Sequence, residues 1–186
     1  MEIIEPKFTH DIYDGVIEGK DVKFYKKYLK QVPGLYKDDS NVDPETLLYT
    51  VYSYEEGDAL QLGNLNWGLT ILEPVTINNE CVITKGHFHE NMDCAEIYFG
   101  CGGEGLLLLM DETGKCWAEK VFKGSVHYIN GKLAHRLICT GETQCKVGAC
   151  WPSAAGHNYE AIEKHNFPIR VFKKDGKVEI VDLWNI

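Results

Sequence analysis

Two short stretches carry the clearest structural signal of this chain: Thr84-Lys-Gly-His-Phe-His89 and, after a polar turn, Glu96-Ile-Tyr98. Alternate residues of a strand project from the same face, so His87 and His89 are expected to point together with Cα atoms about 6–7 Å apart. Imidazoles at this spacing can converge on one metal ion. An antiparallel return strand would bring the carboxylate of Glu96 to the same place.

A fourth candidate ligand, His135, follows a second turn at residues 130–132 and can complete the site from another strand pair. Three imidazoles and one carboxylate suit divalent first-row ions such as iron, manganese, nickel, zinc or cobalt. Thiolate ligands would instead indicate structural zinc, but no cysteine has a comparable spacing. An H-x-H pair also recurs by chance. His127, alone on an apolar strand, is expected to be a packed or surface histidine.

The rest of the chain reads as successive strands separated by Gly, Asn or Asp at intervals of about 8–12 residues. The predicted strands are residues 48–54, 65–72, 81–89, 95–99, 105–110, 116–121, 125–129, 134–140 and 146–151. This spacing is typical of an all-β sandwich or barrel. The glycines expected in its tight turns are Gly86, Gly103 and Gly124. A short helix over 158–165 and a hairpin over 169–181 are expected to follow.

The first fifty residues have a different pattern. Residues 21–30 fit either a short amphipathic helix or a mixture of strand and helix, and Pro33-Gly34 ends this segment. Residues 40–44 are expected to start another turn of helix. No repeat or linker interrupts the chain, so we expect one domain over residues 1–186. Its predicted parts are an N-terminal extension (1–46), a barrel core (47–151) and a C-terminal helix and hairpin (152–186).

Composition narrows the class of partner. The net charge of -9 at pH 7 would repel duplex nucleic acid and an anionic bilayer, so neither is an expected partner. The longest apolar run, residues 106–110, is far too short to cross a bilayer. The seven cysteines include no C-x-x-C pair, and no signal peptide is recognisable before them. We therefore expect a cytoplasmic protein with free thiols.

The stretches 84–89, 96–98 and 124–136 resemble the two cupin motifs, and in particular those of the cupin-type (archaeal-type) phosphoglucose isomerases. Six residues separate His89 from Glu96, more than in ordinary cupins and similar to the isomerase family's own variant. The resemblance extends over most of residues 48–160, including Leu65-Asn66 and the stretch 151–159. It implies an all-β cupin jelly-roll β-barrel with short helical and hairpin decorations at the termini.

The sequence departs from the family pattern at four positions. Asn130 stands where proline is usual, Lys132 where glycine is usual and Cys139 where asparagine is usual. These three affect turns and barrel packing and leave His135 in place. Trp151 stands where the family has tyrosine, so a hydroxyl that could contact substrate is missing and the substrate preference stays open.

The resemblance implies an isomerase of glycolysis and gluconeogenesis that interconverts glucose 6-phosphate and fructose 6-phosphate, a small sugar phosphate, as a homodimer. It implies one divalent metal ion per subunit, with Fe2+ first and Mn2+, Ni2+, Zn2+ or Co2+ as alternatives, held by His87, His89, Glu96 and His135. Glu96 is the predicted catalytic base. A hydride shift would need no base, and the sequence leaves both routes open.

The resemblance also assigns residues that bind substrate. Thr70, Thr84 and the Gly86 backbone N–H are similar to the family's phosphate-binding positions, and Lys85 adds a nearby charge. Tyr98, on the same face as Glu96, is either a hydrogen-bonding partner of a substrate oxygen or an aromatic core residue. The further predicted substrate-binding residues are Tyr52, His157 and Tyr159.

The two alternative functions are a metal-dependent oxygen-using enzyme and a sugar-binding protein without catalytic activity. A metal-dependent cupin dioxygenase would have a short His–Glu gap and lack the phosphate-binding threonines, and neither holds here. A non-catalytic sugar-binding cupin usually loses at least one metal ligand, whereas all four candidates are present in this chain.

Overall fold

The computed structural model of the chain describes residues 1–12, 15–59 and 61–183. Strands dominate it. In chain order they are β1 (Phe8–His10), β2 (Ile17–Gly19), β3 (Lys23–Tyr28), β4 (Leu47–Tyr54), β5 (Leu65–Leu72), β6 (Thr76–Ile77), β7 (Glu80–Cys81), β8 (Glu96–Gly102), β9 (Glu104–Met110), β10 (Cys116–Phe122), β11 (Val126–Ile129), β12 (Ala134–Cys139), β13 (Cys145–Pro152), β14 (Ile169–Lys174) and β15 (Lys177–Asp182). The helix α1 (Tyr159–Lys164) and the 3₁₀ turns Leu29–Gln31 and Ser153–Ala155 complete the fold.

Two sheets enclose the core. The larger has six antiparallel strands in the order β11-β8-β13-β5-β4-β3, and the other has three in the order β10-β9-β12. A four-stranded sheet, β15-β14-β7-β6, and the hairpin β1-β2 lie beside them. Buried side chains from all three larger sheets form one cluster, represented by Leu72 of β5, Leu107 of β9 and Val171 of β14. The predicted all-β fold is confirmed.

Two strands of the three-stranded sheet are buried on both faces. In β12 all six residues are buried, so both of its faces are covered, and β9 is buried at all four residues from Leu107 to Met110. The apolar run of β9 is typical of a strand covered on both faces, whereas β12 also buries His135 and Arg136. The C-terminal hairpin turns at Asp175 and Gly176, which have φ values of 51° and 72°. Two residues with positive φ form the turn that matches the right-handed twist of a hairpin.

One predicted strand is wrong. Residues 81–89 do not form a continuous strand, because β7 ends at Cys81 and only isolated bridges follow, at Ile83, His87 and Phe88. Gly86 has a φ of 77°, a conformation that no regular strand contains. The segment therefore runs as an irregular loop alongside β12, from the bridge between Ile83 and Ile138 to the antiparallel bridge between His87 and His135.

The N-terminal region shows a second difference. Of the two structures predicted for residues 21–30, the mixture of strand and helix is the one observed, since β3 leads directly into the 3₁₀ turn Leu29–Gln31. The helical turn predicted over 40–44 is wrong: isolated turns and bends occupy that segment. Strand β3 pairs with β4 along its length, so the predicted extension contributes the edge strand of the six-stranded sheet.

The cysteines are free thiols in this structure. All seven lie within the described residues without a disulfide, and five are buried. Burial raises the pKa of Cys145 to about 12 and that of Cys81 to about 11, which keeps both thiols protonated and unreactive. Among the described residues, no helix is both long and apolar enough to span a membrane.

Two turn glycines give a matched test of the fold. Gly103 and Gly124 have φ values of 70° and 92°, so alanine is strained at both by about 1–2 kcal/mol. A Cβ at Gly103 would lie 2.1 Å from the backbone oxygen of Gln144, whereas a Cβ at Gly124 would meet nothing within 4 Å. We expect Gly103→Ala to lower the free energy of unfolding by at least about 2 kcal/mol more than Gly124→Ala. Thermal or urea unfolding measures the difference, and equal losses would contradict the crowding at Gly103.

Candidate metal centre

Four side chains that can bind a metal ion meet between the two sheets. His87 and His89 lie in the irregular loop, Glu96 is the first residue of β8, and His135 is the second residue of β12. One ligand atom from each of these residues lies within 4.8 Å of the others. Glu96 belongs to the six-stranded sheet and His135 to the three-stranded sheet, so the cluster joins the two sheets. The structure thus brings together the four predicted ligands.

Backbone carbonyls orient two of these imidazoles. Nδ1 of His89 lies 2.6 Å from the carbonyl oxygen of Cys94, and Nδ1 of His135 lies 3.3 Å from that of Leu133. A carbonyl oxygen only accepts, so each Nδ1 carries the proton and donates. The Nε2 lone pairs are therefore left for a ligand, as in the usual arrangement around metal-binding histidines.

The orphaned atoms of the cluster fit a cation. Oε1 of Glu96 lies 2.7 Å from Nε2 of His135 and 3.4 Å from Nε2 of His89. Within the described part of the chain, Glu96 Oε1 and His135 Nε2 are buried and have no hydrogen-bond partner. Buried polar atoms without partners are costly, and two lone-pair atoms this close repel each other. A divalent first-row ion would satisfy both, and the donor set of three nitrogens and one carboxylate suits it.

The electrostatics point the same way. Burial alone would raise the pKa of Glu96, but His135 and His89 in their protonated forms outweigh it and hold the carboxyl pKa well below its usual range when no cation is bound. Burial lowers the pKa of His87 well below its ordinary value, which favours the neutral imidazole that a metal requires. The cluster therefore presents an ionised carboxylate and a neutral histidine to a positive charge.

A cavity of about 280 Å³ opens from this cluster. His87, Glu96 and His135 form part of its wall. The predicted substrate-binding residues that also line it are Thr70, Thr84, Lys85, Gly86, Tyr98, His157 and Tyr159. The volume is close to the lower end of the range for pockets that bind small molecules. A ligand of that size would contact the candidate metal ligands and the candidate phosphate-binding groups at the same time.

Tyr52 is the exception among the predicted substrate contacts. Its side chain lies on the outer face of β4, where it stacks on Phe24 with ring centroids 5.7 Å apart and packs beside Leu69. Val51 and Ser53, the neighbours of Tyr52 in β4, line the cavity instead. The prediction that Tyr52 contacts the substrate is therefore wrong. Successive side chains of a strand point to opposite faces, so its two neighbours face the cavity and Tyr52 faces away from it.

The groups near Lys85 form the polar side of the cavity. Thr84 Oγ1 accepts a hydrogen bond from the Leu137 backbone N–H at 3.0 Å, which leaves the hydroxyl proton of Thr84 available for an anion. Gly86 has no room for a side chain, since a Cβ would lie 3.0 Å from the backbone oxygen of His135. Its backbone can therefore approach a bound group closely. Lys85 lies at the rim, with Nζ 5.2 Å from the centre of the Tyr159 ring.

The cavity also has walls that the sequence motifs did not indicate. Tyr25 of β3 and Tyr49 of β4 line it, as does Glu55 beyond the end of β4. No motif in the sequence marked Tyr49, which lies in a strand rich in β-branched and aromatic residues. Trp151 of β13 also lines the cavity, where it packs on Gly68: a Cβ on Gly68 would lie 2.8 Å from the indole ring. The large indole thus takes the place of the tyrosine expected from the family pattern.

His127 is a packed histidine, as predicted. It lies on β11, apart from the candidate metal ligands, and is 4% exposed. Its Nδ1 is 2.6 Å from Oε2 of Glu119, and its Nε2 is 2.9 Å from Oγ of Ser125. Ser125 Oγ also accepts from the Phe122 backbone N–H at 3.1 Å, which stabilises the turn between β10 and β11.

Comparisons with known proteins identify the family of the chain. Residues 29–183 match the family model described as glucose-6-phosphate isomerase (GPI). The glucose-6-phosphate isomerase of Thermococcus kodakarensis is 34% identical over 176 residues, which cover 92% of this chain and 91% of that protein. That of Pyrococcus furiosus is 32% identical over 179 residues, with 92% of each chain covered. Among solved structures, an oxalate oxidase matches 76% of this chain and 56% of its own, with 14% identity and a TM-score of 0.46. The family match spans most of the sequence, and the chain belongs to the glucose-6-phosphate isomerase family, in its cupin-type (archaeal-type) branch.

Proposed function

We propose that this cavity interconverts glucose 6-phosphate and fructose 6-phosphate, with the sugar carbons beside the candidate metal ligands and the phosphate beside Thr84 and Gly86. The observation that supports this most is the pairing of two kinds of chemistry in one cavity. One side holds the histidine and carboxylate cluster, and another holds hydroxyl and backbone groups next to Lys85. Family membership makes the chain an isomerase, and a sugar phosphate is the implied substrate class.

The phosphate would be held by short-range donors in spite of the net charge of -9. Thr70 and Thr84 each offer a hydroxyl, and the Gly86 backbone offers an N–H. Backbone and hydroxyl donors arranged in a concave site bind anions through local dipoles, whatever the overall charge of the protein. The ammonium group of Lys85 adds a positive charge at the rim.

The isomerisation moves a carbonyl between C1 and C2. A divalent ion held by His87, His89, Glu96 and His135 supplies, when bound, a Lewis acid for the substrate oxygens. Glu96 would accept the proton from C2 of the aldose and return it to C1, which forms the ketose through an enediolate. In a hydride shift the hydrogen would instead pass directly between the two carbons, and Glu96 would serve as a ligand alone.

Three other residues would position the open-chain sugar. Tyr98 lies close to the cluster, with its ring centroid 5.6 Å from that of His135. Burial raises the pKa of Tyr98 well above its ordinary value, so its hydroxyl stays protonated and can donate to a substrate oxygen. His157 and Tyr159 stack with ring centroids 5.8 Å apart at the cavity wall, where they would assist ring opening.

We further propose that the metal is Fe2+, with Mn2+, Ni2+, Zn2+ and Co2+ as alternatives, since the donor set suits all of these ions. We also propose a cytoplasmic homodimer that acts in glycolysis and gluconeogenesis as one domain without nucleic-acid or membrane partners. An apolar surface on β10 and β11 supports a dimer, because Phe122, Val126 and Tyr128 are each more than half exposed.

A coupled assay with fructose 6-phosphate tests the proposed reaction. We expect turnover by the protein as purified, a loss of at least about 100-fold after treatment with a chelator, and recovery when a divalent ion is returned. Metal analysis of the same samples identifies the ion and its ratio to protein. Unphosphorylated fructose serves as the control substrate and should react far more slowly, because it lacks the group that Thr84 and Gly86 bind. No turnover at full metal content would refute the reaction and favour a sugar-binding role.

A further inference from the structure

We propose that Glu163 weakens phosphate binding by competing with the substrate for the ammonium group of Lys85. This inference rests on the proposed function, since it names a residue that sets the affinity of the same cavity. Lys85 Nζ lies 2.7 Å from Oε1 of Glu163, a residue of α1. The ammonium group is therefore paired with a protein carboxylate when the cavity holds no phosphate.

Lys85 stands between two cavities. It lines the substrate cavity, and it also lines a second cavity of about 370 Å³ between residues 31–35 and α1. Of these two cavities, Glu163 lines the second and not the first. The ion pair thus holds the ammonium group at the boundary between the two cavities, 5.2 Å from the centre of the Tyr159 ring.

The backbone of Lys85 is fixed, and its side chain is the part that can move. Nη2 of Arg136, a residue 4% exposed, donates to the backbone oxygen of Lys85 at 2.6 Å. The side chains of Lys85 and Glu163 are 37% and 62% exposed. Lysine has a flexible four-carbon stem, so its ammonium group can change partner without any shift of the main chain.

The substrate phosphate is a stronger partner for this ammonium group. A phosphate monoester carries close to two negative charges at pH 7, because its second pKa is about 6. An exposed pair of one lysine and one glutamate is among the weakest ion pairs in proteins. Substrate binding is therefore expected to transfer Lys85 from Glu163 to phosphate, and part of the binding energy is lost in breaking the first pair.

The start of α1 is anchored independently of this ion pair. Asn158, which caps the helix, exchanges backbone hydrogen bonds with Phe88: the Asn158 N–H donates at 2.8 Å and the Phe88 N–H donates at 3.4 Å. The Asn158 side chain accepts from the Ala161 N–H at 3.0 Å. Loss of the Glu163 carboxylate should thus leave Tyr159 in place. The effect is expected in KM, with kcat unchanged.

The test compares Glu163→Gln with Glu160→Gln, a matched change on the same helix. Glu160 pairs with Lys164 at 2.6 Å and makes no contact with Lys85 among the described interactions. We expect Glu163→Gln to lower KM for fructose 6-phosphate about 2- to 5-fold with kcat within about 2-fold, since exposed ion pairs are worth up to about a fivefold change in affinity. Glu160→Gln should leave both constants unchanged. A KM equal to that of the wild type would overturn the proposal.

Binding of inorganic phosphate, measured by calorimetry, makes the test independent of turnover. Phosphate should bind about 2- to 5-fold more tightly to Glu163→Gln than to the wild type. On a Lys85→Met background, which should itself weaken binding, Glu163→Gln should have no further effect. A gain that persists without Lys85 would overturn the competition. Absence of isomerase activity together with the expected phosphate affinities would refute the proposed reaction and leave the competition for Lys85 supported.

Discussion

His89→Ala is expected to remove the metal from the protein and to lower isomerase activity by at least about 100-fold, since changes that disturb even the partners of metal ligands cost 10- to 100-fold. His89 is 2% exposed, and its Nε2 faces Glu96 while its Nδ1 is held by the Cys94 carbonyl. Alanine leaves the other three ligands without a fourth donor. Metal analysis of the purified variant and the coupled assay measure the two losses.

The control is His165→Ala, which removes an exposed histidine at the end of α1. It should retain the metal content and activity of the wild type. Circular dichroism should show the same β content for both variants, because His89 lies in the irregular loop and His165 follows α1, both outside the strands. A His89→Ala protein with full metal content would refute the assignment of this ligand.

Glu96→Gln is the variant with the second large expected effect, a lower rate of the chemical step. With the divalent ion supplied in excess, we expect kcat to fall about 10²- to 10⁴-fold, the usual contribution of a positioned general base. Glutamine keeps the shape of the side chain and one oxygen, but it cannot accept the proton. Glu112→Gln changes an exposed turn residue and should leave kcat unaltered.

The deuterium content of the product distinguishes proton transfer through Glu96 from a direct hydride shift. Proton transfer through Glu96 in deuterated water should place deuterium on the product, because the carboxyl proton exchanges with solvent. A direct hydride shift would yield product without deuterium. Absence of deuterium would assign Glu96 the role of ligand alone, and any loss in Glu96→Gln would then follow its metal content.

Much of the site could be predicted from the sequence because its residues obey local rules. His87 and His89 lie two apart, Glu96 begins the next strand, and the Gly, Asn and Asp breakers mark most strand ends within a residue or two. The resemblance to the isomerase motifs supplied His157 and Tyr159, for which local pattern gave no signal. Both line the cavity.

Features that depend on strand phase or on long-range pairing could not be predicted. Tyr52 was assigned to the cavity, but the face of β4 from which it projects depends on the pairing of β4 with β3. The sequence of residues 21–30 left that pairing undecided. The strand predicted over 81–89 failed at Gly86, since a β-rich composition does not reveal a positive φ. Lys85 and Glu163 are 78 positions apart, so their ion pair depends on tertiary structure alone.

The order of strands in the six-stranded sheet determines when the metal centre can form during synthesis. β8, which carries Glu96, is hydrogen-bonded on one side to β11 and on the other to β13. Strand β13 leaves the ribosome after every one of the candidate ligands. A nascent chain that exposes His87 and His89 therefore has two imidazoles but no sheet to hold the carboxylate beside them. The four candidate ligands can therefore converge on one ion only after β13 has been synthesised and has joined the sheet beside β8.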